Sequence, residues 1–307
     1  MTTRTLYTKL AISSVVSALA VLALACDRQS GGDTDDPSAA GESAQKTGEG
    51  EAADREPLPG VDVDDLGPGQ LDSFHSLVDA VSSPCGEAHS LRTSVVEDDD
   101  CHRAGHAAEY VAQLVRDGAS EHDARQMYEA RYREDPTVEE FSHDDVPRKG
   151  PSDARVEIVE FLDYGCPACK HFGEVSERAQ QAWPNDVAVY YRFFPLPSNP
   201  TGEEAARAAV AAKRQGKFED MHEMLFRYQG QHHEASLRGY AEEIGLDMDQ
   251  FDEDFEASGE IVSRDQSRGR EAGVSATPTV YINGREFTDP KRFEYVKMWI
   301  EEELALN

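Results

Sequence analysis

The chain has 307 residues, enough for one or two domains with a sizeable apolar core. Its 60 acidic and 30 basic residues leave a net charge of −30, a surface that repels nucleic acid and gains nothing from anionic lipid. The charge argues for solubility and against a nucleic-acid partner, and it is silent on fold.

At the N-terminus Arg4 and Lys9 precede an uncharged run from Leu10 to Ala25, the arrangement of a signal peptide over residues 1–25 rather than of a spanning helix. The run ends "LALAC", with small residues at Ala23 and Ala25 and cysteine at position 26. This resembles a bacterial lipobox, whose cysteine is lipidated and becomes the mature N-terminus; an ordinary signal peptide is the alternative. Both imply export to a compartment that permits disulfides. The expected localisation is a lipoprotein anchored at Cys26 and facing the periplasm or cell exterior. Residues 26–68 are rich in Gly, Ser, Ala, Pro, Asp and Glu and read as a disordered acidic linker that holds the folded body away from the membrane.

Residues 69–142 form a small helical module. Ala107, Tyr110, Val111, Leu114 and Val115 share one face at helical spacing, Gly118 ends that helix, and Ser120 with Asp123 reads as the cap of the next. With Cys26 assigned to lipid, Cys85, Cys101, Cys166 and Cys169 remain as an even set, and a structural Cys85–Cys101 disulfide is the first reading. A metal site of Cys85, His89, Cys101 and His106, or a docking module with free thiols, are the alternatives. A second linker, "DDVPRKGPSDA", follows.

A mixed α/β domain spans 148–307. "RVEIVEFL" fits a central strand over Arg155–Leu162, and Cys166 stands where strand gives way to helix, with Pro167 in the first turn. "VAVYYRFF" is a second strand, Val187–Phe194, and Thr201 with Glu204 reads as a capping box opening an alanine-rich helix that stops near Gly216. Helices continue to about residue 272, making an insertion over roughly 199–272. "TPTVYINGREF" reads as a hairpin turning at Asn283-Gly284, and the last helix lines up Phe293, Val296, Ile300 and Leu304.

The stretch "VEFLDYGCPACKHF" poses the chemical question. A c-type haem needs CxxCH, but Lys170 stands before His171; zinc needs two further ligands, for which His143 and His171 are the candidates without a second CxxC. A redox pair needs neither metal nor organic cofactor. Cys166 at a helix N-terminus is favoured as thiolate and is the nucleophile, and Cys169 one turn on can close or resolve a disulfide.

"EFLDYGCPACKHF", "YYRFFPLP" with the alanine-rich helix after it, and "GVSATPTVYINGREF", in this order, resemble the DsbA-like thiol–disulfide oxidoreductases over residues 148–307. The resemblance implies a thioredoxin fold with a helical insertion, preceded here by the small α-helical module and the tether. It implies that Thr277-Pro278 is the family's cis-proline, which presents backbone to an extended substrate. It implies that Glu160 is a buried acid relaying a proton to or from Cys169. Solvent exposure of Glu160 on an edge strand, and a trans Pro278, are the alternatives. Pro167 and Ala168 make up the redox dipeptide, where strongly oxidising members carry a histidine at the second position. The implied partners are exported cysteine-containing proteins and a membrane or soluble redox partner that recycles the site. A reductant or isomerase, for instance acting on apocytochrome c, and a non-catalytic binding module are the rival readings. Residues 71–135 resemble the helical domain of the CcmH-like cytochrome c maturation proteins, but Cys85 and Cys101 lie sixteen apart with no CxxC, which puts an independent redox role in doubt.

Overall fold

The structure, a computed structural model, describes residues 56–132 and 136–306. The expected signal peptide, the lipidation site Cys26 and the linker up to residue 55 lie outside the described residues. The described part of that linker is on the fold: Leu58 is buried, and Val61, Val63 and Leu66 pack on the same core. Arg116 grips both oxygens of Asp65, at 2.7 and 2.8 Å. The acidic composition hid four well-spaced apolar residues that find partners only in the tertiary structure.

Four helices follow, α1 (Pro68–Ala80), α2 (Leu91–Glu97), α3 (Ala104–Arg116) and α4 (Glu121–Arg131). The predicted face of α3 is buried from Ala107 to Val115, and Ser120 caps α4 by accepting from the Asp123 amide at 3.1 Å. Cys85 and Cys101 are joined in a disulfide that ties the turn after α1 to the start of α3. Both sulfurs are thereby withdrawn from metal binding and from free-thiol docking.

The boundary drawn between this module and the α/β domain is bridged by buried polar contacts. Arg131, at the end of α4, donates to Glu302 at 2.7 Å and to Asp289 at 3.4 Å, with all three side chains at most 2% exposed. Tyr110 also donates to Asp289, and Tyr132 to Glu302 at 3.0 Å. All described residues fall in one compact unit.

The rest of the chain gives β1 (Arg148–Lys149), β2 (Val156–Leu162), α5 (Pro167–Ala182), β3 (Val187–Phe193), then α6 (Gly202–Arg214) and α7 (Phe218–Arg227). After them come α8 (Glu234–Glu243), α9 (Met248–Ala257), α10 (Gly259–Glu271), β4 (Thr279–Ile282), β5 (Arg285–Glu286) and α11 (Phe293–Leu306). The sheet order is β1-β3-β2-β4-β5, with β2 and β3 parallel and the other pairs antiparallel. This is the expected thioredoxin fold, with α6–α10 as the helical insertion. β2 lies at the centre and is buried on both faces, which fits a sequence of apolar residues broken only by Glu157 and Glu160. The β4–β5 turn places Asn283 and Gly284 at φ 45° and 78°, the two positive values that a tight hairpin turn demands.

Two local expectations fail. Thr201 does precede α6, but its hydroxyl contacts Asn199 rather than capping the helix, and a Glu204 oxygen is buried without a partner, so no capping box forms. Nor is the connection before β2 a free linker. Glu139 N–H donates to Gly284 O at 2.8 Å, Phe141 packs against Phe161 and Tyr281, and Arg148–Lys149 pair with β3. Prolines and glycine in "DDVPRKGPSDA" signalled irregular backbone, which is a different matter from freedom.

Candidate active site

β2 delivers the chain to its C-terminal end at Leu162, and a short turn of Asp163, Tyr164 and Gly165 aims Cys166 at the start of α5. Cys166 occupies the N-cap position in extended conformation, and Pro167 begins the helix, where its missing N–H costs nothing. Cys166 is half-buried; Cys169, one turn into the helix, is fully buried, and both are free thiols. Cys166 Sγ lies 3.2 Å from Thr277 O, and the Thr277–Pro278 peptide bond is cis. Three separate stretches of sequence, Cys166 to Cys169 with Pro167 and Ala168 between them, Glu160 behind, and Thr277-Pro278, are thus brought to one end of the sheet.

The two sulfurs are driven in opposite directions. Cys166 is drawn down to about 5, first by its hydrogen bond with Cys169 and then, against burial, by the Thr277 side chain and the Cys169 and Ala168 amides. The Thr277 hydroxyl is buried and makes no hydrogen bond, so its proton is free to turn toward the sulfurs. Cys169 is pushed far up by burial, by the neighbouring Cys166 and by the charge of Glu160. A stable thiolate and a protonated thiol therefore face each other across one helical turn.

Glu160 sits on β2 opposite Tyr191 and Val280, with no exposed surface and neither oxygen hydrogen-bonded. Burial, and then the proximity of Cys166, push it up to about 8. Its strand is central, so solvent exposure on an edge is excluded.

Several residues at this end of the sheet escaped the sequence reading. Asp163 is buried and accepts from Gly165 N (2.8 Å), Leu196 N (2.7 Å) and Asn199 Nδ2 (2.5 Å). Gln229, in the turn after α7, donates to the carbonyls of Tyr164 (2.8 Å) and Cys166 (3.0 Å). Tyr164 meets His222 Nδ1 at 2.9 Å, and burial holds His222 down at about 3, so it is neutral. The one available signal was an aspartate directly after an apolar strand; Gln229 and His222 belong to the insertion, and no spacing rule links them to the cysteines. His143 bonds Glu157 at 2.8 Å and stacks on Tyr190, while His171 is exposed on α5. Among the described residues no three His, Cys, Asp or Glu side chains converge as a metal site.

A family model described as Thioredoxin matches residues 143–302. The Na(+)/H(+) antiporter NhaA 3 of Salinispora tropica is 36% identical over 152 residues, which are 48% of this chain and 23% of that protein. NhaA 1 of Salinispora arenicola is 36% identical over 140 residues, 45% of this chain and 21% of that protein. The chain thus spans under a quarter of the length of these curated relatives. The crystal structure of oxidised BdbD from Bacillus subtilis superposes with a TM-score of 0.50 at 26% identity, covering 55% of this chain and 98% of that one.

Proposed function

Because the chain belongs to the thioredoxin family, we propose that it is an extracytoplasmic thiol–disulfide oxidoreductase that oxidises cysteines of exported proteins. The observation that carries this is the opposite tuning of the two cysteines, an exposed-side thiolate at Cys166 against a buried thiol at Cys169. A stabilised thiolate makes the reduced form comfortable, and a comfortable reduced form makes an oxidant. The transport activity of the antiporter relatives, of which the chain spans so little, is no part of the proposal.

In the reaction a substrate thiolate attacks Cys166 Sγ of the oxidised pair. The S–S bond breaks and its electron pair leaves on Cys169, which takes a proton from neutral Glu160. A second substrate thiolate then attacks the substrate sulfur of the mixed disulfide and expels Cys166 as the thiolate its surroundings favour. Two electrons pass from two substrate thiols to the cysteine pair, and a separate redox partner removes them. Thr277-Pro278 lies against Cys166 and offers backbone to the extended substrate segment.

Equilibration of purified protein against glutathione tests the direction. Ala168 withholds a histidine's stabilisation while the helix N-terminus and Thr277 remain, so the expected potential is roughly −130 to −230 mV. Cys166→Ser must abolish exchange altogether. A value near thioredoxin's, about −270 mV, would overturn the oxidising role in favour of a reductant. For the proposed anchor, Cys26→Ser is expected to release the protein from salt-washed membranes with thiol chemistry intact; retention would sink it.

A further inference from the structure

The turn that carries Cys166 is held on one side by the helical insertion and on the other by the connection that leads into it. On one side Gln229 takes up the carbonyls of Tyr164 and Cys166. On the other, the Asp163 carboxylate, whose residue is 2% exposed, gathers three N–H donors from two loops. Gly165 N comes from its own turn, and Leu196 N and Asn199 Nδ2 come from the connection between β3 and α6. The fit is close: a Cβ at Gly165 would overlap Asn199, and one at Gly202 would stand 2.8 Å from Asn199 and 3.0 Å from the carboxylate. A buried carboxylate with its hydrogen bonds filled this way fixes the peptide that bears it.

That peptide has a partner of its own. Asp163 N–H donates to Cys169 Sγ at 3.5 Å. We propose that Asp163 is a positioning residue for the resolving cysteine: its carboxylate, clamped by Gly165, Leu196 and Asn199, aims the Asp163 amide at Cys169 Sγ. In this arrangement the Cys169 thiol, one turn along α5, is the donor toward the Cys166 thiolate. The three groups form a chain, amide to thiol to thiolate, in which each donor polarises the next. An amide held on Cys169 makes its S–H a better donor, and the hydrogen bond from Cys169 is the foremost influence stabilising the Cys166 thiolate. The β3–α6 connection thereby reaches the nucleophile's acidity without touching its sulfur. This rests on the redox reading of the same pair, but its test does not need turnover.

The test uses full-length reduced protein carrying Asp163→Asn or Asn199→Ala, with the Cys166 pKa read from the pH dependence of its alkylation. In Asp163→Asn an amide N–H must oppose one of the three donors, so the turn loosens. The expected result is a rise of about 0.5 to 1 in the Cys166 pKa, the scale of one modest hydrogen bond, with a shift of the couple toward a reducing potential. Asn199→Ala leaves two of the three donors and should give a smaller rise in the same direction. A purely structural Asp163 would lower the melting temperature and leave the pKa alone. Folded Asp163→Asn with a Cys166 pKa within about 0.2 of the parent overturns the proposal. If that variant does not fold, an unchanged pKa in Asn199→Ala overturns it instead. Absence of any exchange activity with the pKa shifts present would refute the proposed function and leave this inference standing.

Discussion

Glu160→Gln is expected to slow thiol–disulfide exchange by about 10²-fold near neutral pH, the usual contribution of a positioned proton donor or acceptor. Glu160 is held at about 8, so it is mostly protonated at pH 7 and can supply the proton that the Cys169 sulfur needs when the disulfide opens. Opening should therefore slow as pH rises through about 8. The reverse step, in which Cys169 must lose its proton before closing the disulfide, should quicken over the same interval. Glutamine can do neither, so both profiles should flatten in the variant. Stability must move the other way. Burial raises the folded-state pKa above the unfolded value, so the native state takes up a proton that the unfolded chain does not hold between pH 4.5 and about 8. The parent loses stability across that window as pH rises, and Glu160→Gln, which never ionises, gains on it. Stopped-flow kinetics and denaturant unfolding from pH 5 to 9 measure the two effects. Parent-like rates and pH profiles in the variant would remove Glu160 from the mechanism.

The chemistry was more legible than the support around it. CxxC after an apolar strand and Thr-Pro before a hairpin are local signals, set by strand period, helix start and turn type. They put Cys166 and Cys169 at the end of the apolar strand; that Pro278 meets them there was implied by the resemblance. Glu160 was legible through the resemblance, which places a buried acid six residues before the first cysteine; the sequence alone left an exposed edge position open. Asp163 is equally buried, but it looked like an ordinary turn residue, since aspartate after a strand is common for local reasons. Its three donors lie up to 36 residues away and follow no spacing. The packed stretches at 56–66 and 136–149 were hidden in the same way. Both are polar and rich in turn residues, and they are ordered by a few apolar anchors, Leu58 and Phe141 among them, whose partners lie elsewhere in the chain. Composition reports whether a segment can fold alone; it is blind to a surface that folds it.

Arg131→Met is expected to cost about 3–5 kcal/mol at pH 7.5, the penalty for removing one partner of a buried ion pair. The Arg131 guanidinium is 1% exposed and joins the end of α4 to Asp289 and to Glu302 on α11. It also lies over the rings of Tyr110 at 4.6 Å and Trp299 at 4.7 Å. Methionine fills much of the same volume and keeps the apolar contacts, so what is lost is the charge. Asp289 keeps Tyr110 and the Trp299 indole N–H at 2.6 Å, and Glu302 keeps Tyr132 and Arg103, but two carboxylates then share a dry site without the one cation that bonds both. In the parent, burial pulls Glu302 upward and Arg131 with Arg103 more than offsets it, so the group sits below the usual carboxylate range. Its contribution is therefore present at neutral pH and lost as pH falls through that depressed value. Without Arg131 the burial that pushes Glu302 upward is less opposed, and the deficit should shrink as pH drops from 7.5 toward 5. The Cys166–Cys169 potential should not move, because Asp163, Gln229 and Thr277 hold the cysteines without help from α4. Denaturant unfolding at the two pH values, with the potential measured alongside, separates the roles. A deficit below about 1 kcal/mol, the size of a surface pair, would mean that the Arg131 ion pairs add little to holding α1–α4 on the sheet.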